Sequence, residues 1–199
     1  SVPWVINSAW INLFNGKINS VKELKHHFLL QRSQLTHELY LPQVKTFISS
    51  ALKIISDAIG REVHKFDECM ELSHKELYSI ASSLGVFSRS MSYINEAYYV
   101  SALTLRTLAT QKTEGFSMDD FTSTFGEIFE NEKRVGRVIK FAESKSQPMA
   151  KSSFKFYQHR NVVENTGGQY VVKDLKGLEE LLHSFETELV EHLKFNMRV

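Results

Sequence analysis

Two Glu-x-x-His pairs carry the residue types that hold metals: Glu71 and His74 in CMELSHKELY, Glu180 and His183 in EELLHSF. On helices, two such pairs with one glutamate from each of two further helices make a di-metal carboxylate centre. Ligands in a bundle must point inward, so each residue's angle to its helix's apolar face decides between ligand and flank. At about 100° per residue, His74 falls about 60° from a face centred near Phe66, Met70 and Leu77, and Glu71 about 120° from it. In the last helix Glu180 lies nearly opposite Leu178, Leu182, Phe185 and Leu189, with His183 about 120° off that face. The second pair is expected to face solvent, and His74 alone to sit at a core edge. No metal or cofactor is expected; a centre would have to be built from His74, Glu71 and Glu96.

Glu96 lies in a stretch that is apolar nearly all round. A carboxylate there needs a partner or a raised pKa, and Arg106 or Arg89 is the expected partner. Gly-x-Ser-x-Gly, Walker, Gly-x-Gly-x-x-Gly and His-Glu-x-x-His patterns are absent from the sequence. Cys69, the single cysteine, stands among Phe66, Met70 and Leu77 and reads as a buried structural thiol rather than a nucleophile. A lone cysteine excludes an internal disulfide and favours an intracellular setting.

The net charge of +1 selects no partner, but charge is unevenly placed. Glu114 to Glu132 holds six acids and no Lys or Arg, whereas Lys133, Arg134, Arg137, Lys140, Lys145, Lys151, Lys155 and Arg160 follow against Glu143 alone. Lys133, Arg137 and Lys140 would share one helical stripe, with Phe154, Phe156, Tyr157 and His159 among the later cations. Such a segment suits nucleic-acid phosphates, with the aromatics stacking on bases, or an acidic membrane. Its plainer reading is a solvated face paired with the acidic stretch beside it. At the N-terminus Trp4, Trp10 and Phe14 make a bulky face that could anchor a partner or pack onto the parent bundle.

The elements that must position these residues are helical. With 42% hydrophobic and 24% charged residues the composition is that of an ordered globular chain, and no apolar run nears the roughly 18 residues a membrane span requires. Three prolines and nine glycines leave long stretches with apolar residues at steps of three and four. Ser20-x-x-Glu23 and Ser117-x-x-Asp120 read as capping boxes. From 42 to 84 the pattern runs Ile48, Leu52, Ile55, Ile59, Val63, Phe66, Met70 onward, predicting a helix of roughly 60 Å if unbroken, with Gly60 and Gly85 as weak points. A second helix is expected from Ser117 through Val135 and Val138 to Phe141, ending near Pro148. Asn165-Thr166-Gly167-Gly168 marks a turn between β-formers, so 153–173 is read as a short hairpin or a broken helix.

The expected fold is all-α, an elongated antiparallel bundle of long helices with a small hairpin near 153–173. It is organised as one helical domain: a Trp-rich segment 1–19, a bundle 20–145, a less regular segment 146–173 and a C-terminal helix 174–199. Helices of such length also occur in curved, BAR-type membrane-binding dimers, an analogy of class that carries no residues across. The expected function is a non-catalytic interaction or scaffold domain, engaging a partner protein or a second copy, self-associating through the long helix. The alternatives are a module binding nucleic acid or an acidic membrane through 133–160, and a ferritin-like metal-carboxylate enzyme.

Overall fold

The computed structural model describes residues 1–196. The helices in chain order are α1 (Val2–Phe14), α2 (Val21–Leu35), α3 (Val44–Ile59), α4 (Phe66–Cys69), α5 (His74–Ser83), α6 (Gly85–Gln111), α7 (Met118–Arg134), α8 (Phe141–Ser144), α9 (Gln147–His159) and α10 (Leu175–Asn196). Strands β1 (Val163–Thr166) and β2 (Gln169–Val172) lie between α9 and α10. The fold is all-α with one small hairpin. Its contacts group into two compact units, one of Ser1–Met91 with the chain from Val190, the other Ser92–Leu189.

In the first unit α1 is the centre. Every residue from Trp4 to Leu13 is buried, and the helix packs against α2, α3 and α5. Several of its buried polar groups find partners, although Asn7 Oδ1 and the indole Nε1 of Trp4 and Trp10 do not among the described residues. Asn7 Nδ2 donates to the Ala81 carbonyl at 2.5 Å, Ser8 Oγ meets His27 Nε2 at 3.1 Å, and Asn12 Nδ2 donates to the Ser8 carbonyl at 2.9 Å. Phe28 joins the helices around it, edge-on to Phe47 at 5.6 Å and to Phe66 at 5.1 Å between ring centroids.

The predicted 42–84 helix is three helices. Gly60 closes α3 in the left-handed conformation (φ +71°), where a residue with a Cβ is strained. Ser73 then caps α5 with a full capping box, taking the Glu76 N–H while Glu76 takes the Ser73 N–H at 2.8 Å. A salt bridge from Arg61 is the main cause, with the Ser73 N–H second, holding Glu76 down at about 2. The steps of three and four persisted across 60–73 although the backbone did not stay helical. Self-association through one long helix therefore has no such element to use. The expected turn at Gly85 falls one residue earlier, at Leu84, the C-cap of α5.

In the second unit Phe116, Phe121, Phe125, Phe129, Phe154 and Tyr157 are buried together with much of α6. The Ser117–Asp120 capping box starts α7 as predicted. Gly167 and Gly168, at φ +63° and +90°, form the two-residue turn that pairs Thr166 with Gln169. Two central residues of positive φ match the twist of a hairpin, which is why glycine suits both positions. Phe116 and Tyr170 exchange both backbone hydrogen bonds, at 2.9 and 2.8 Å, tying the hairpin to the segment before α7. Pro148 occupies the first turn of α9 instead of closing a preceding helix, because its missing N–H costs nothing there.

Cys69 is buried, and burial first, then the Glu68 charge, pushes its thiol up to about 12. A maleimide at pH 8 is expected to leave the native protein unlabelled and to label it fully in denaturant. Rapid native labelling would show Cys69 to be accessible thiolate.

Candidate functional site

Helix α7 stops at Arg134, well before the predicted Phe141, because Gly136 takes a left-handed φ of +78°. The segment from Val135 to Lys140 is irregular, and two buried carboxylates fix it from beneath. Glu96, on α6, accepts from the backbone N–H of Ile139 at 2.7 Å and of Lys140 at 2.9 and 3.1 Å. The Ser144 hydroxyl donates to it at 2.6 Å. Glu96 thus holds the chain leading into α8. The expected arginine partner is corrected: main-chain donors and a hydroxyl satisfy the carboxylate, while Arg106 pairs with Glu179 at 3.7 Å.

Glu132, on α7, is the second anchor. Arg137 binds it in a fork, Nε to Oε2 at 2.6 Å and Nη2 to Oε1 at 3.3 Å, and the Tyr99 hydroxyl donates to Oε2 at 3.1 Å. The hydrogen bonds from Arg137 to Glu132 raise the guanidinium's pKa. Burial foremost, then the Glu132 charge, raises the Tyr99 phenol's. Both groups keep their protons across the physiological range.

The basic segment therefore divides. Arg137 is committed to Glu132, and Lys145 pairs with Glu130 at 2.7 Å. Arg160 lies 4.8 Å over the Phe156 ring. Lys133, Arg134, Lys151 and Lys155 are exposed and Lys140 is half-buried. The helical stripe of Lys133, Arg137 and Lys140 does not exist, because the helix ends first. Nor do the interleaved aromatics form a stacking platform: Phe154, Phe156 and Tyr157 belong to the core, and of the four only His159 is exposed. What the sequence hid is apolar exposure among the cations. Val135 is 54% exposed and Ile139 66%, while Val138 between them is buried.

A second surface lies in the first unit, between α2 and α3. Tyr40 is 100% exposed, flanked by exposed Leu39 and Val44. The loop is held beneath this tip: Arg32 donates to the Pro42 carbonyl at 2.6 Å and lies 5.3 Å over the Phe47 ring. The same unit has a cavity of about 220 Å³ with Leu29, Ile48, Leu52 and Phe66 as its apolar wall and Lys25, His64, Lys65 and Asp67 as its polar one, Lys25 and Asp67 lying 3.9 Å apart.

The other predicted site residues are not brought together. Glu71 lies in the turn after α4, outside any helix, and His74 opens α5. His74 is exposed rather than at a core edge, stacked on Phe14 with ring centroids 4.2 Å apart. Glu180 and His183 are exposed. Among the described residues no group of three or more His, Cys, Asp or Glu side chains is placed to hold a metal ion, and no helix is long and apolar enough to cross a membrane. Trp4 and Trp10, expected as anchors, are fully buried. Phe14 is half-buried among His74, Tyr78 and Phe195. Compared with models of protein families, with curated proteins and with solved structures, the chain matches none.

Proposed function

We propose that the chain is a non-catalytic helical interaction domain that associates with a second copy through the α2–α3 loop. The observation that carries this reading is Tyr40, wholly solvent-exposed at the tip of a loop that its own protein holds in place. A large aromatic side chain left in water gains most when it enters an apolar pocket, and tyrosine is among the side chains that dominate protein interfaces. The cavity walled by Leu29, Ile48, Leu52 and Phe66 belongs to the same unit. Reciprocal insertion of Tyr40 into that cavity on a second copy makes a closed, two-fold contact. A net charge of +1 adds little repulsion between copies.

Sedimentation equilibrium of the whole chain tests it. The wild type is expected to dimerise. Tyr40→Ala removes a central aromatic anchor and is expected to weaken the dimer by ~30-fold, the equivalent of ~2 kcal/mol. Leu29→Glu, at the cavity, is expected to do the same without loss of helical circular dichroism. A wild type that stays monomeric at its highest soluble concentration overturns the reading, as does a dimer indifferent to both changes.

A further inference from the structure

We propose that Lys133–Lys140 is a docking loop for an anionic lipid bilayer, with Val135 and Ile139 entering the headgroup region among the surrounding cations. Lys133, Arg134, Arg137 and Lys140 fall in eight consecutive residues without an acid. Cations in the last turn of α7 have an ordinary explanation, since they complement the helix dipole. The exposure of Val135 and Ile139 has no such explanation. The loop's inward needs are already met, by Val138 in the core, by Glu96 on the N–H groups of Ile139 and Lys140, and by Glu132 on Arg137. The two remaining aliphatic side chains are left outside by a backbone that is already ordered, so docking costs little further conformational entropy.

Chemistry selects the partner. Nucleic acid would use a platform of stacking aromatics, and of those in this segment Phe154, Phe156 and Tyr157 are buried, which leaves only His159 exposed. A stable protein interface needs about 800 Å² from each partner, far more than two aliphatic side chains supply. A bilayer demands no matching shape; it takes apolar side chains at the acyl boundary and attracts Lys and Arg to anionic headgroups. This inference is independent of the Tyr40 contact, which lies in the other unit.

Co-sedimentation of the full chain with vesicles decides it, using phosphatidylcholine alone against phosphatidylcholine mixed equally with phosphatidylserine. Binding is expected only to the mixed vesicles and to fall as salt is raised, because surface charge is screened. Arg134→Glu with Lys140→Glu is expected to lower partitioning at least tenfold, and Val135→Ser with Ile139→Ser at least tenfold while leaving the charge unchanged. All four positions are at least partly exposed, so each variant should stay folded at the assay temperature, which its far-UV circular dichroism checks. Binding that needs no phosphatidylserine, or that survives either double change, overturns the proposal. So does preferential binding of a single-stranded oligonucleotide that the Val135/Ile139 variant retains in full.

Discussion

Replacing Trp10 by alanine is expected to destabilise the protein by about 3–5 kcal/mol, the range for removing a large aromatic from a packed core. Trp10 is fully buried on α1, the helix enclosed by α2, α3 and α5, and its ring lies 6.5 Å from that of Phe66. Alanine would leave a void with little freedom to collapse, because α1 is packed on all sides. Trp10→Phe separates size from polarity. The indole Nε1 is buried with no hydrogen-bond partner among the described residues, and such a donor costs about 1–3 kcal/mol to bury. Phenylalanine sheds that donor while keeping most of the ring, so it should cost well under half as much as alanine. Guanidinium unfolding followed by far-UV circular dichroism measures both variants without relying on the removed fluorophore. A surface anchor would tolerate alanine within about 0.5 kcal/mol, and that result would return Trp10 to the exterior.

The α1 segment shows where periodicity misleads. Asn7, Ser8 and Asn12 interrupt the apolar pattern and suggest a helix with one bulky face, yet all three are buried. Their partners, the Ala81 carbonyl, His27 and the α1 backbone, are either distant in sequence or invisible as side-chain chemistry. The hairpin was legible because glycine at two positive-φ positions is a local requirement. The starts of α2 and α7 were legible for the same reason, since caps act over four residues: Ser117 and Asp120 make the full box, whereas Ser20 takes the Glu23 N–H but Glu23 reaches back to the Asn19 N–H instead. The break before α5 was written equally plainly, as Ser73-x-x-Glu76 overlapping the Glu71–His74 pair. There the longer apolar rhythm hides a local helix-start signal, and the Glu71–His74 spacing, which looks like one helical face, crosses a turn. The cationic segment was visible as composition. Its division into committed and outward groups was not, because that depends on which carboxylates the fold buries beside it.

Glu96 carries the second large effect. Glu96→Ala removes an acceptor serving the N–H groups of Ile139 and Lys140 and the hydroxyl of Ser144. Hydrogen bonds to a charged group are worth roughly 1.5–3 kcal/mol each, and water can reach part of this loop, so a net loss of about 2–4 kcal/mol is expected. Glu96→Gln should lose less, since one oxygen still accepts while its NH₂ meets other donors. Amide hydrogen exchange gives the sharper readout: Ile139 and Lys140 should lose protection in both variants, whereas the core of α9 should lose it only with global stability. Unchanged protection at Ile139 and Lys140 would mean that another acceptor holds them. The glutamine variant also separates order from charge at the proposed bilayer contact. It makes the protein more positive by one unit, which alone would strengthen attraction to phosphatidylserine. If the pinned backbone is what presents Val135 and Ile139, Glu96→Gln must nevertheless bind mixed vesicles more weakly, because the loop then has to be ordered during docking. Charge and order predict opposite signs for this substitution, so a single partitioning measurement decides between them.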